Sequence, residues 1–305
     1  MMQVFSTSRV LHRGVALLHK THTPAVSLLK KFHVSATEPE TLFHEIKDTK
    51  SGKVRRIAYH KTSGPRSVGV IYVPGFMSDK SGIKAQELHP FCQKYGFPYV
   101  RYDPSGLGDS EGVELTEARM SSWVEDAREI IIKVSDGPQI IVASSMGCWI
   151  SSIIAKEHPE KFAGLLMLAP AFNFGEKYEK VLLSQLTPKL LKKYEDGGVV
   201  NLYAPDYGEF PLSLAQFEDM KQFNITKATD SMPVTCPVRI IHGIKDKDVP
   251  YMESLQLLPA LQTPNVTLTY LKHAGHRLSD VTSLDVILDT VLKLASTLHP
   301  RENNS

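Results

Sequence analysis

The chain alternates short apolar runs with longer stretches in which apolar positions recur at helical spacing. The runs fall at residues 68–73, 99–102, 140–143, 165–168, 238–241 and 266–271. The central ones are almost wholly apolar, the pattern of strands buried on both faces of a parallel sheet. Residues 44–47 and 54–61 flank Ser51-Gly52 and predict a hairpin ahead of them. Between the runs, residues 116–134 carry a helical apolar pattern that stops before Asp136-Gly137-Pro138. Residues 283–298 place Leu284, Ile287, Leu288, Val291 and Leu294 on one face. This alternation predicts an α/β architecture, a mostly parallel sheet flanked by helices.

One section breaks the rhythm. About seventy residues separate Leu168 from Val238, too many for a simple crossover. Residues 178–194 predict an amphipathic helix broken or kinked at Pro188, residues 197–207 a turn and short strand, and residues 212–223 another helix. The expectation is a cap inserted at about residues 175–230, over the strand ends.

Charge adds a boundary at the other end of the chain. Residues 1–37 contain no Asp or Glu but hold Arg9, Arg13, Lys20, Lys30 and Lys31 among Ser, Thr and His. Apolar and basic residues intersperse over 4–18 as on an amphipathic helix, the composition of a mitochondrial transit peptide rather than a secretory signal. Cleavage is expected between Phe32 and Glu38, leaving a folded domain over 38–305. Setting those five charges aside takes the formal balance from +2 to −3, which gives no reason to expect nucleic-acid binding. The hydrophobic share of 42% is ample for one large core. No apolar stretch is long enough for a transmembrane helix. Cys92, Cys148 and Cys236 are too few and scattered for a disulfide framework and fit a reducing compartment.

The candidate chemistry sits at the ends of the predicted strands. Residues 140–147 read as strand, tight turn and helix, with Ser145 at the turn between Ala143 and Gly147. Small residues two before and two after a serine let strand and helix approach closely, the setting of a nucleophile elbow. Ser144 is the alternative, but a one-residue shift misplaces both small neighbours. A serine hydroxyl needs a base, and the base an orienting acid. After the strand at 238–241 and Gly243 come Asp246 and Asp248, with Asp246 preferred; after the strand at 266–271 come His273 and His276, with His276 preferred because it follows Gly275 and opens a loop. His242 is expected to pack or cap its strand end. Backbone N–H groups of Met146 and Phe76 are the candidate oxyanion donors, the latter from the loop that begins Pro74-Gly75. The loop at 103–110 is expected to shape the pocket floor.

These residues together resemble the α/β-hydrolases. The resemblance rests on Pro74-Gly75, the loop at 103–110, Ser144-Ser145-Met146-Gly147, His242-Gly243-x-x-Asp246 and the segment 273–277. Within that superfamily the chain is similar to the mitochondrial palmitoyl-protein thioesterases, most specifically at Asp136-Gly137-Pro138-Gln139-Ile140, at Cys236-Pro237-Val238-Arg239 and in the basic leader. The resemblance implies the α/β-hydrolase fold with an eight-stranded sheet and an inserted cap. It carries the triad to Ser145, Asp246 and His276. It implies cleavage of acyl thioesters on protein cysteines and of acyl glucuronides, in the mitochondrial matrix, with no cofactor or metal. A carboxylesterase or lipase on small esters and a non-catalytic scaffold of the same fold are the other readings. Dehalogenase chemistry is excluded, because it needs Asp where Ser145 stands. Ala143 and Cys148 depart from the glycines usual at these positions.

Overall fold

Every strand expected from the apolar runs is present, and the order in which they pair sets where the loops gather. The structure, a computed structural model, describes residues 38–47, 52–204, 208–225 and 232–298. The basic leader, its cleavage point and Ser51 of the hairpin turn lie outside the described residues. Strands β1 (Leu42–Lys47) and β2 (Val54–Thr62) form the antiparallel hairpin. β2 pairs antiparallel with β4 (Tyr99–Tyr102). From there the neighbours are all parallel: β4, β3 (Gly69–Val73), β5 (Gln139–Ser144), β6 (Phe162–Leu168), β9 (Val238–Gly243) and β10 (Val266–Leu271). Among the described residues this is one eight-stranded, mostly parallel sheet, as the resemblance implied.

The strands read as continuous apolar runs because both faces are covered. On β5, Ile141 and Ala143 join one core with Trp123 and Trp149, while Ile140 and Val142 join the other with Leu88, Phe91, Ile287 and Val291. The first layer comes from α2 (Met120–Glu129) and α3 (Met146–Glu157), the second from α1 (Ile83–Tyr95) and α8 (Val281–Leu298). Burying each such aliphatic side chain contributes roughly 1.5–3 kcal/mol, so alternate residues of β5 tie two layers to one strand. Among the described residues no helix is long and apolar enough to cross a membrane.

Several boundaries differ from the expectation, each for a local reason. The helix expected from residue 116 starts at Met120. The Gln216 amide donates to the carbonyls of Leu115 and Ala118 at 3.0 Å each, so those groups are engaged by the cap. The last turn of that segment, Ile130–Val134, widens to π-helical geometry. The helix expected over 178–194 is two helices, α4 (Phe174–Leu183) and α5 (Pro188–Glu195). Pro188 opens α5 at its first turn, where a missing N–H costs nothing, and Thr187 caps it. The strand expected near 200 is β7 (Val200–Ala204), paired with an unforeseen β8 (Gly208–Leu212). That pairing delays the next helix, α6 (Leu214–Lys221), which begins after a Ser213–Gln216 capping box. Helix α1 and the short α7 (Met252–Leu257) also lie beyond the expectation.

Candidate active site

Parallel strands deliver their C-terminal ends to one edge of a sheet, and the candidate residues sit there. Ser145 lies between β5 and α3 with φ 52° and ψ −119°, a conformation L-residues avoid at a cost of about 1–3 kcal/mol. The turn is held from outside: Ser145 N–H donates to Leu168 O at 2.8 Å, and Ser145 O accepts from Cys148 N–H and Ala171 N–H. Gly147 is required by close approach, since a Cβ there would lie 2.5 Å from the carbonyl oxygens of Val73 and Pro74. Ala143 is fully buried, so the departure from glycine is absorbed by the core. Ser144 stays in the strand, paired with Leu168. Cys148 packs against the turn, its Sγ 3.2 Å from Ala143 O, and burial pushes its thiol well above the ordinary range.

His276 and Asp246 converge on this serine. His276 Nε2 lies 3.0 Å from Ser145 Oγ, and its Nδ1 lies 2.7 Å from Asp246 Oδ2. An ionised carboxylate only accepts, so Nδ1 carries the proton and Nε2 presents a lone pair to the serine O–H. Burial opposes ionisation of Asp246, but hydrogen bonds from His242, from His276 and from Val249 N–H outweigh it and hold the carboxyl well below its usual range. Its other oxygen accepts from the N–H groups of Asp248 and Val249, at 2.9 and 2.8 Å. Asp248 thus contributes its backbone to the site. His273 points away, paired at 3.1 Å with Asp280 on the surface.

His242 takes a larger part than expected. It is fully buried, with Nε2 2.8 Å from Asp246 Oδ2 and 3.2 Å from Val249 O. Both partners only accept, so Nε2 bears the proton, and Nδ1 accepts from the Ser254 hydroxyl at 2.6 Å. One carboxylate oxygen therefore receives two imidazole donors. The sequence signal was a histidine four residues before the acid.

The segments that carry the expected oxyanion donors pass close to the serine. Met146 is the first residue of α3, and the loop carrying Phe76 crosses close enough that a Cβ on Gly75 would touch Ser144 O and Ser145 Cβ at 3.0 Å. That loop is braced from below. Lys80 donates from its backbone N–H and from Nζ to the fully buried Asp103, at 2.7 Å each, and Nζ also reaches Asp109. The loop at 103–110 does not line the cavity and so does not form its floor, contrary to expectation; it anchors the loop above through this buried ion pair.

A cavity of about 350 Å³ opens at Ser145 and His276. Its walls are apolar: Phe174, Tyr178 and Leu182 from α4, Phe210 and Leu212 from β8, and Met220 from α6. Tyr178 O–H donates to Glu253 at 2.7 Å, linking α4 to α7.

The chain that carries these residues matches known proteins over most of its length. The model of the serine aminopeptidase S33 family, Hydrolase_4, matches residues 67–280. The chain belongs to this α/β-hydrolase family. It is similar to the protein named palmitoyl-protein thioesterase ABHD10, mitochondrial, from Mus musculus, at 31% identity over 79% of this chain and 80% of the relative. The Homo sapiens protein of that name is 32% identical over 79% and 77%. Among solved structures, alpha/beta hydrolase domain-containing protein 10 from mouse superimposes with a TM-score of 0.72 at 29% identity, covering 85% of this chain and all of that one. A putative hydrolase from Agrobacterium vitis S4 gives 0.75 at 25%, covering 84% and 99%. The chain is thus a serine hydrolase related to the palmitoyl-protein thioesterases, as the sequence resemblance implied.

Proposed function

We propose that this hydrolase removes long acyl chains from protein cysteines, and acyl groups from glucuronides, through a triad of Ser145, His276 and Asp246. The observation that carries the reading is His276, hydrogen-bonded to Ser145 on one side and Asp246 on the other, at the foot of a cap-lined apolar cavity. His276 Nε2 takes the Ser145 proton as Oγ attacks the acyl carbonyl. The oxyanion forms beside the N–H groups of Met146 and Phe76, where losing one donor costs roughly 3 kcal/mol. The acyl–sulfur or acyl–oxygen bond breaks, and the imidazolium protonates the departing group. Water, deprotonated by the same imidazole, then releases the fatty acid. Asp246 stays ionised throughout and stabilises the transient imidazolium. The acid-free leader and the relatives named mitochondrial support action in the mitochondrial matrix.

The test compares the wild type with Ser145→Ala on a palmitoyl-thioester peptide, an acyl glucuronide and a short-chain aryl ester. Preference for the long thioester, abolished by the substitution, is the expected result. Activity on the aryl ester alone would favour a small-ester hydrolase. Turnover unchanged in Ser145→Ala would remove the triad.

A further inference from the structure

A second compartment, of about 380 Å³, opens on the other side of the same serine. Among the described residues its lining has only Phe76, Ser145 and His276 in common with that of the apolar cavity. The nucleophile and the base therefore stand at a junction between two rooms of different chemistry. An acyl carbonyl attacked at Ser145 carries two substituents that diverge from the tetrahedral centre. The apolar room suits the chain, which leaves the second room for the group that departs with the proton of His276.

That second room is more polar than the first and is cationic. Among the described residues Lys84 and Arg277 line it, against the single carboxylate of Asp79. Asp79 is turned onto its own loop, accepting from Ser81 N–H at 2.8 Å and Ser81 O–H at 2.5 Å. Lys84 Nζ donates to Arg277 O at 2.5 Å, fixing the ammonium across the loop that follows His276. Burial, and then the charge of Arg277, push the Lys84 ammonium down to about 8.

We infer that this compartment is a leaving-group site, selective for acyl substrates whose leaving group bears a carboxylate, with Lys84 and Arg277 as its specificity residues. The inference rests on the acyl-transfer reading above. Bonds balance as there: the Ser145 Oγ–acyl bond forms, the acyl–sulfur or acyl–oxygen bond breaks, and the serine proton passes through His276 to the departing atom. The carboxylate takes no part in the chemistry; it sets orientation and choice. It could come from an acidic residue beside an S-acylated cysteine or from a sugar acid.

Two matched pairs test this with the full chain. One is a palmitoyl-cysteine peptide flanked by glutamates against the same peptide flanked by glutamines. The other is an acyl glucuronate against the acyl glucose of the same acid. The expected result is a kcat/KM ratio of about tenfold for the charged member, as two partly exposed ion pairs supply. The ratio should fall to about one in a Lys84→Met, Arg277→Gln double variant and below one in Arg277→Glu. Because each ratio is internal to one protein, partial unfolding of a variant does not imitate the effect. Discrimination in the peptide pair alone assigns the carboxylate to the protein substrate, and in the sugar pair alone to the sugar acid; both support the site. Ratios near one in the wild type, with turnover intact, overturn the inference alone, as does a ratio that survives in the double variant. No turnover of any of the four overturns the acyl-transfer reading and this inference with it.

Discussion

Replacing His242 by leucine separates support of Asp246, the proposed catalytic acid, from mere packing. Leucine occupies similar volume but donates nothing. Asp246 Oδ2 then loses one of its two imidazole donors, Val249 O loses a contact, and the Ser254 hydroxyl loses its acceptor. Buried polar groups left without partners cost roughly 1–3 kcal/mol each, so a stability loss of about 2–4 kcal/mol is expected after local relaxation. The catalytic effect is distinct. A charge-assisted hydrogen bond contributes about 1.5–3 kcal/mol, and if that orientation is needed at the transition state kcat falls roughly 10- to 150-fold. The sign of the pH effect follows from the donors at one oxygen. Without His242, one of the hydrogen bonds that hold the Asp246 carboxyl below its usual range is gone, so the carboxyl rises and the acid limb of the kcat/KM profile moves to higher pH. His242→Gln, whose amide can still donate, should recover much of both effects. The assay is a pH–rate profile of the three proteins on one thioester, at a temperature where denaturant titration shows each folded. A leucine variant with wild-type kcat and an unmoved acid limb would refute the argument and reduce His242 to a packing residue.

Three further outcomes are expected. Ser145→Gly removes the proposed nucleophile and also the cost of a side chain at φ 52°, so this variant, expected to be inactive, should gain about 1 kcal/mol or more in chemical denaturation; a loss of stability would mean that the turn carries no strain. Gly147→Ala drives a Cβ against two carbonyl oxygens, so α3 must shift away from β3 and esterase activity should collapse; a fully active, equally stable variant would contradict so close a contact between helix and strand. Preference for a carboxylate-bearing leaving group should weaken as pH rises through about 8, because Lys84 deprotonates beside the Arg277 guanidinium and the Asp79 carboxylate, while the Cys148 thiol, pushed up by burial, remains neutral; a ratio constant between pH 7 and 9 would exclude Lys84 from the site.

What could be read from the sequence follows from how local each signal was. Strand β5 and its serine were legible because burial on both faces leaves an uninterrupted apolar run ending in small residues. Asp246 and His276 were legible because each follows a strand end at a fixed place in the chain order. Helix α1 was hidden by its own buried face, which includes His89 and is followed at once by Pro90, so its pattern does not resemble an apolar stripe. β8 was hidden by Pro211, which usually disqualifies a strand but is tolerated in a two-stranded ribbon. The late start of α2 depends on Gln216, about a hundred residues downstream, and no local pattern reports such a contact. The role of His242 was within reach, since its spacing to Asp246 is short, but its side-chain direction depends on Ser254 and Val249 closing around it.

The walls that would grip an acyl chain and the groups that would break its bond have separate origins along the polypeptide. Phe174, Tyr178, Leu182, Phe210, Leu212 and Met220 all belong to the one stretch between β6 and β9, whereas Ser145, Asp246 and His276 follow β5, β9 and β10. A lineage can therefore lengthen, shorten or reshape what it accepts by editing a single insert, leaving the bond-breaking apparatus untouched. The same division makes the insert a natural unit for transplantation between relatives, with chain-length preference expected to travel with it.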